Sequence, residues 1–339
     1  MAVILEITQK GHPRSLANLI ANIESEGCPY LSMIRRGMRP KQAKHEWQVK
    51  AYPRVGHGGV NDGKDATTFQ SNPREELGVY AQKSWYNPGV SDFAEEAEVA
   101  GVSKGEFAEQ VADAFVAVKR IQEMRCLSNS DTLLENGTTA PYETRGIFSW
   151  LSASAQTTLP VPTAFRTPAT QIMGNSAGAS LATFTEDTFL DACASSYITR
   201  KGTYAMHTFL GVHLKKKFTN FAGYVDNIAN TTSIRRYNQE ADSKTLVRVI
   251  DKLVLDSGEH LLHLTPFLMT NAADGTDTDF THRSGFSVDM ESAFLAYTRE
   301  PRVVNLPYKG GGKKAIVDTI FLHGHENVQG GIAMLYNAA

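Results

Sequence analysis

The sequence lacks most of what a membrane, exported or metal-held protein needs. No apolar run approaches the ~20 residues of a membrane span. Its three cysteines, Cys28, Cys126 and Cys193, lie far apart in a chain of 339 residues. An odd, scattered set supplies neither a disulfide framework nor a structural zinc site. Met1 to Ile7 is apolar but short, without a basic start or a small-residue cleavage site, so export is not expected. An excess of one charge is missing too, because 34 basic and 36 acidic residues leave a net charge of −2. That excludes the polyelectrolyte signature of a dedicated nucleic-acid binder. Synthesis in a reducing cytosol is the expectation these absences leave.

What the chain does have is length for about two domains at roughly 150 residues each, and an unusual stretch from His45 to Phe93. Glu46–Tyr52 alternates, with Trp47, Val49 and Ala51 on one face, as a half-buried strand does. Leu77–Trp85 alternates likewise. Between them, Pro53–Glu76 is rich in Gly, Asn, Asp, Ser and Pro, with almost nothing apolar to anchor it. A connection this long without structure of its own is uncommon in a compact domain and is usually functional or disordered. The pattern predicts a long hairpin whose tip stands clear of the core and is ordered by something outside the subunit.

Before the hairpin, Leu16, Leu19, Ile20 and Ile23 share a stripe and predict a short amphipathic helix, followed by a basic connector with Arg35, Arg36, Arg39 and Lys41. After it, Ser103-Lys104-Gly105-Glu106 has the form of a capping box. Phe107, Val111, Ala114, Phe115, Val118, Ile121 and Met124 continue at helical spacing, giving a predicted spine helix of roughly 35 Å. Residues 128–182 turn to Ser, Thr, Ala, Pro and Gly, interrupted by Gly146–Leu151, so loops are expected. Thr185-Glu186-Asp187 opens a helix with Phe189, Leu190, Ala194, Tyr197 and Ile198 facing in and Gly202 ending it. A strand at Tyr204–Leu210, a helix near His213–Phe221 and a hairpin of Leu246–Leu255 with His260–Met269 follow. Phe286–Tyr297, Ala315–His323 and Val328–Tyr336 add strands. Helices and strands mix without a βαβ rhythm, so the class is α+β.

Chemical motifs are weak. Gly174-Asn175-Ser176-Ala177-Gly178 matches the G-x-S-x-G elbow of serine hydrolases, but a Pro/Thr-rich segment precedes it and no helix is signalled after it. His323-Gly324-His325-Glu326 places two histidines on one face of a strand, with no third ligand implied, while His260 and His263 would face opposite ways. Surface or turn histidines are the expectation. Lys309-Gly310-Gly311-Gly312-Lys313-Lys314 lacks the phosphate-loop spacing and reads as a turn. His213–Phe218, with Lys215, Lys216 and Lys217, reads as a solvated helix face. No nucleophile, base and oxyanion donors combine, so no enzyme, cofactor or metal is expected.

Together these segments resemble a major capsid protein of tailed bacteriophages with the Hong Kong 97 type fold. Cys28–Ile34 followed by His45-Glu46-Trp47 is similar to that family's arm leading into its extended loop. The charged spine helix, Gly146–Leu151, the helix opened by Thr185, the Asp256-Ser257-Gly258 hairpin and the closing strands keep the family's order. The resemblance implies an N-terminal arm (1–44), an extended loop and its base (45–93), and a peripheral domain with the spine helix (94–151). It further implies an irregular region (152–184), an axial domain (185–300) and a return to the peripheral domain (301–339). Trp47, Trp85, Phe107, Val111, Phe115, Val118 and Trp150 are the expected fold-defining side chains. The expected partner is the chain itself, in hexamers and pentamers of an icosahedral virion shell around double-stranded DNA, with portal, scaffold and decoration proteins as further candidates.

A shell subunit needs heterologous contacts that close around symmetry axes, and a hairpin laid over the next subunit is one. Arg54, Asp62, Lys64, Asp65, Arg74 and Glu75 offer both charges for such pairing. Some relatives cross-link a loop lysine to a neighbour's asparagine; Lys64 is placed for it, though no partner asparagine is implied. Two alternatives stand beside the phage shell: an encapsulin-like nanocompartment shell, and a hydrolase using Ser176. The hydrolase reading has a direct check: a fluorophosphonate probe is expected to leave Ser176 unmodified in intact-mass and peptide spectra, and stoichiometric labelling there would instead establish a nucleophile.

Overall fold

The structure, a computed structural model, describes residues 27–53, 55–67, 69, 71–97, 105–174, 179–202, 204–221, 224–226, 233–235, 250–268 and 282–336. The first elements are α1 (Pro29–Met33), β1 (Arg35–Arg36), β2 (Lys44–Val49), β3 (Glu75–Tyr80), β4 (Gln82–Tyr86) and β5 (Gly89–Val90). Then come α2 (Asp92–Glu96), α3 (Glu106–Cys126), α4 (Ile147–Trp150), β6 (Ile172–Met173), α5 (Glu186–Arg200), β7 (Tyr204–Leu210) and α6 (Val212–Phe221). The remainder is strand: β8 (Tyr224–Asp226), β9 (Ser233–Arg235), β10 (Lys252–Leu255), β11 (Gly258–Leu264), β12 (Gly285–Val288), β13 (Ala293–Asn305), β14 (Lys313–His325) and β15 (Ile332–Met334).

The chain divides into two compact units. One takes the described residues of Met1–Gly27, Trp85–Val118 and Pro301–Asp318; the other takes the described residues of Cys28–Ser84, Lys119–Glu300 and Thr319–Ala339. This is coarser than the six expected segments and draws its lines elsewhere.

In the first unit, β5 pairs antiparallel with the start of β14, Lys313 opposite Val90. Ala114 and Val118 of α3 pack on Val317. The start of α3 is capped from outside the helix: Glu95 Oε2 accepts the Phe107 amide at 2.9 Å, while Lys313 Nζ donates to Glu95 Oε1 at 2.9 Å. Glu106 instead accepts from Gln110 at 3.1 Å, and Ser103 of the expected capping box lies outside the described residues. Lys309 to Gly312 lie in the turn between β13 and β14, and Lys313 and Lys314 open β14. Gly310, Gly311 and Gly312 all have positive φ there, and a Cβ at Gly312 would sit 2.0 Å from the Val90 carbonyl. Glycine is therefore required in that turn.

In the second unit, β2 and β3 form an antiparallel hairpin from Lys44 opposite Tyr80 to Val49 opposite Glu75. A mixed six-stranded sheet runs β10-β11-β7-β12-β15-β6. Its β10–β11 hairpin turns through Asp256 and Ser257 as the sequence implied, and β11 runs parallel to β7. Helices α5 and α6 lie on this sheet through Phe184, Phe189, Cys193, Leu214 and Phe218. The Thr185 side chain accepts the Thr188 amide and the Thr188 hydroxyl answers the Thr185 amide, so a capping box does start α5. A second core gathers Tyr30, Leu77, Val79, Trp150, Phe209, Phe286 and Phe321.

Several expectations fail locally. The strand expected over Leu77–Trp85 breaks at Ala81, where β3 ends and β4 begins in a different sheet. Phe286–Tyr297 divides into β12 and β13 around a turn closed by Ser292 N donating to Asp289 O at 3.1 Å. Lys201, with φ 55, takes the left-handed C-cap of α5 that was expected of Gly202. The inward stripe of α5 is Phe189, Ala192, Cys193 and Ser196, with Leu190, Tyr197 and Ile198 exposed. Small residues let the helix approach its sheet, and the large ones are left outside. Phe115 is likewise 39% exposed, while its neighbours Ala114 and Val118 are fully buried. The helix expected near Leu16–Ile23 lies outside the described residues.

These burials remove Phe115 from the expected core of α3 and leave Val118 in it. Val118→Asp, which strands a carboxylate in an apolar contact, is expected to destabilise the unassembled subunit by more than about 3 kcal/mol in denaturant titrations. Phe115→Asp is expected to change it by less than about 1 kcal/mol. A Phe115→Asp subunit that fails to fold would return Phe115 to the core.

Candidate assembly surface

The hairpin β2–β3 carries the feature with the clearest outward purpose. Residues 50–74 have no helix or strand among those described, and all are exposed except the half-buried Asn72. Asn72 Nδ2 donates to the Ala51 carbonyl, which ties the two sides of the loop at its root. A turn at the tip is closed by Lys64 N donating to Asn61 O at 3.2 Å, with Gly63 at φ 75. The loop is not as polar as its Gly/Asn/Asp content suggests. Tyr52, Val55, Val60 and Phe69 are 94%, 83%, 76% and 90% exposed. Large apolar groups held in water at this density mark an interaction surface.

The root of the hairpin is held rigidly. Trp47 packs at 5.7 Å from Trp150 and 5.1 Å from Phe294, ring centre to ring centre. Trp150 in turn donates from Nε1 to the His323 carbonyl at 3.3 Å and lies under the Arg145 guanidinium at 4.5 Å. Arg145 is fully buried; it donates to Asp131 Oδ1 at 2.8 Å and to the carbonyls of Thr158 and Leu159 at 2.6 and 2.9 Å. Leu159 sits at φ 47, a strained backbone for a branched residue, and the arginine bond to its carbonyl holds it there. His323 links these parts to the chain's entry. Its Nδ1 is 2.9 Å from the Arg145 carbonyl, which can only accept, so the proton sits on Nδ1 and Nε2 accepts from the Tyr30 hydroxyl at 2.7 Å. Glu123 of α3 completes the set, accepting the amides of Tyr30 and Leu31 at 3.0 and 2.8 Å.

Among the expected contact residues, Asp62, Lys64 and Asp65 lie at the exposed tip turn. Arg74 and Glu75 belong to the root, where Arg74 donates to Gln48 at 3.1 Å and Glu75 opens β3 opposite Val49. Arg54 lies outside the described residues. None of the five others forms an ion pair among the described residues. Of the expected fold-defining residues, Trp150 and Val118 are fully buried, Trp47, Phe107 and Val111 are half-buried, and Trp85 and Phe115 are exposed. The apolar loop residues Tyr52, Val55, Val60 and Phe69 were missed, although four large side chains in a glycine-rich loop are a legible signal.

The histidine expectation is overturned: His260, His323 and His325 are all buried. His260 meets Thr208, Ser287 and Cys193, and His323 meets the Tyr30 hydroxyl and the Arg145 carbonyl, all remote in sequence. His260 and His263 do point apart, His263 pairing instead with His207 at 3.0 Å. Among the described residues no group of three or more His, Cys, Asp or Glu could hold a metal ion, and no helix is long and apolar enough to cross a membrane. Of the G-x-S-x-G run, Gly174 has φ 70 and backs onto the Leu335 carbonyl, while residues 175–178, with Ser176, lie outside the described residues.

A hairpin loop offered to solvent from a packed root is compatible with a shell subunit, and comparison with known proteins decides the family. The family model for the SU10 major capsid protein matches residues 4–320. The chain belongs to the SU10 major capsid protein family. No curated protein matches the chain. Among solved structures it is similar to the capsid of cyanophage A-1(L), with a TM-score of 0.65 and 10% identity over 99% of each chain. The capsid of cyanophage P-SCSP1u gives 0.61 at 10% identity over 99% of this chain and 97% of that one. The capsid of a native GTA particle gives 0.56 at 10% identity over 98% of both. At such identities the likeness concerns fold: an α+β capsid fold of the Hong Kong 97 type. The chain is thus a phage major capsid protein with a structural role in the virion, assembling with copies of itself.

Burial gives this capsid protein a defined response to acid. It pushes His260 and His323 down to about 4 and His325 to about 3, where His323 and Arg200 add to the effect. Burial also pushes Glu123 up to about 7. Between pH 6.5 and about 4 the unfolded chain binds histidine protons that the native chain refuses, so each histidine lowers stability as pH falls through that window. Glu123 acts oppositely, its native carboxyl taking a proton between about 7 and 4.5, but it is one group against three. Subunit stability is therefore expected to fall from pH 6.5 to 4, with His323→Gln removing roughly 3 kcal/mol of that fall. Denaturation curves for the two proteins that stay parallel across this window would contradict it.

Proposed function

We propose that this chain is the repeating subunit of the icosahedral head of a tailed phage, grouped in hexamers and pentamers around double-stranded DNA, and that residues 50–74 lie across a neighbouring copy. The observation that carries this reading is the loop's composition against its exposure. Tyr52, Val55, Val60 and Phe69 are exposed and find no cover among the described residues of their own subunit, and Asp62, Lys64 and Asp65 have no ion pair among those residues. A second copy supplies both kinds of partner. On this reading residues 45–93 are the extended loop and its base, 94–151 and 301–339 the peripheral domain, and 185–300 the axial domain. The exposed Leu190, Tyr197 and Ile198 on α5, and Val303, Val304, Leu306 and Tyr308 near the β13–β14 turn, are further contact surfaces. Individual exposed charge pairs contribute about 0 to 1 kcal/mol, so cohesion rests on apolar area, in total above roughly 2,000 Å² per subunit for an obligate assembly.

The subunit is made in the host cytoplasm, carries no catalytic site, and meets DNA non-specifically, consistent with its near-zero net charge. Portal, scaffold and decoration proteins are its remaining partners. Negative-stain microscopy of the purified protein is expected to show closed shells; nuclease-resistant DNA within shells from infected cells distinguishes a phage head from a cargo compartment. Deleting Gly56–Gln70 is expected to leave a soluble, cooperatively melting subunit that no longer forms shells, because the hairpin root is intact and only the contact is lost. Closed particles that sediment normally without those residues would remove the loop from assembly.

A further inference from the structure

The loop between α3 and α4 contains the one Asn-Gly dipeptide of the sequence, Asn136-Gly137. Its frame is closed at both ends. Leu133 and Glu143 exchange backbone hydrogen bonds of 3.1 and 3.2 Å, and Asn136 N donates to Ala140 O at 3.1 Å. Glu143 is held from α3, its Oε2 lying 3.0 Å from Arg125 Nη2, and its carbonyl accepts from the Thr132 hydroxyl at 2.8 Å. Inside this frame the Asn136 side chain turns back on its own loop. Its Oδ1 accepts the amides of Thr138, Thr139 and Ala140 at 3.0, 2.9 and 2.9 Å, while Nδ2 donates to the Thr139 hydroxyl at 3.3 Å. Asn136 and Gly137 are both exposed, and a Cβ at Gly137, whose φ is 74, would meet nothing within 4 Å. No bulk shields the peptide bond between them.

A carboxamide oxygen has two lone pairs, so three converging donors suit an atom more negative than it is. The same convergence of backbone amides defines an oxyanion hole. We propose that Asn136 is a site of spontaneous deamidation, and that this cradle both speeds the reaction and steers it to aspartate. The Gly137 nitrogen, giving its proton to solvent base, attacks Asn136 Cγ, and the charge that develops on Oδ1 falls among the three amides. Collapse of that intermediate breaks the Cγ–Nδ2 bond, and ammonia leaves after taking a proton from water. The product is a five-membered imide joining Cγ to the Gly137 nitrogen. Water then opens it at one of two carbonyls. Attack at Cγ returns the charge to Oδ1 and its three donors, and restores the backbone with an aspartate at 136. Attack at the main-chain carbonyl of Asn136 yields isoaspartate, and that oxygen has only the Thr138 hydroxyl, at 3.5 Å. An aspartate also keeps the cap with charge-assisted bonds, about twice as strong as neutral ones.

The test uses the full chain as unassembled subunits held at mildly alkaline pH, with peptide mapping by mass spectrometry over time. Asn136 is expected to deamidate ahead of Asn129, which precedes Ser130, and at least about tenfold faster in native subunits than in the same chain in urea. Native subunits are expected to yield mainly aspartate and the urea-unfolded chain mainly isoaspartate, scored by isoaspartyl methyltransferase labelling. Gly137→Ala is expected to suppress the reaction by crowding the attacking nitrogen. Should that variant not fold, Asn136→Asp provides a second check: its carboxylate keeps the three amides, so it is expected to melt no lower than the parent. Equal or slower deamidation in native subunits than in urea, isoaspartate as the main native product, or a lower melting temperature for Asn136→Asp overturns the proposal.

Discussion

One buried carboxylate organises the entry of the chain into its own fold. Glu123 accepts the two amides with which α1 begins, from a position 93 residues further along the sequence. Those amides have no side-chain cap of their own, since Cys28 precedes Pro29 and offers none. A helix start buried without partners would lose its hydrogen bonds to water and gain nothing. The carboxylate therefore pins the start of the body to the spine helix. From Tyr30 the same network passes through His323 to Arg145 and Asp131, so four segments remote in sequence share one set of buried polar bonds. Each bond is worth keeping only while the rest are made, because a buried donor left alone costs about as much as several satisfied ones contribute.

That rigidity is what allows the hairpin to be useful. A loop of Gly, Asn and Asp cannot order itself, and ordering each residue costs about 1 kcal/mol or more of backbone entropy. If its root were also loose, binding a neighbour would have to order both. Trp47 wedged between Trp150 and Phe294 fixes the direction in which the two strands leave the core. The backbone pairing of β2 with β3 carries that direction out to Val49 and Glu75. The entropy lost on contact is then confined to the loop beyond them.

Much of this layout can be read from the residues, but unevenly. Elements with local signals were placed closely: Thr185 capping α5, the strand Tyr204–Leu210, the turn at Asp256-Ser257, and the helix beginning near Glu106. Side chains whose surroundings come from far along the chain were not. His323 and His325 sit in a polar-looking run, and only the sheet that swallows β14 makes them interior. Phe115, Leu190, Tyr197 and Ile198 fail in the opposite sense. Periodicity reports that a side chain is apolar, not which molecule will cover it, so residues that face outward in a single subunit were assigned to its own core. On the helices of an assembling protein that error is systematic, because two apolar faces compete for one description.

The same ambiguity explains how cohesion and accuracy can coexist in a shell. Fully burying a large apolar side chain contributes about 1.5–3 kcal/mol, whereas an exposed ion pair contributes about 0–1. If the loop lies across a neighbouring copy as proposed, Tyr52, Val55, Val60 and Phe69 are the larger source of cohesion in it, and Asp62, Lys64 and Asp65 bear on orientation, where a wrong register places like charges together. No single contact of that size holds a misplaced subunit for long, so an incorrectly joined copy leaves before its neighbours trap it. On that reading a closed shell persists only where the contacts made at once around a subunit together exceed the entropy of ordering the loop, although each is weak.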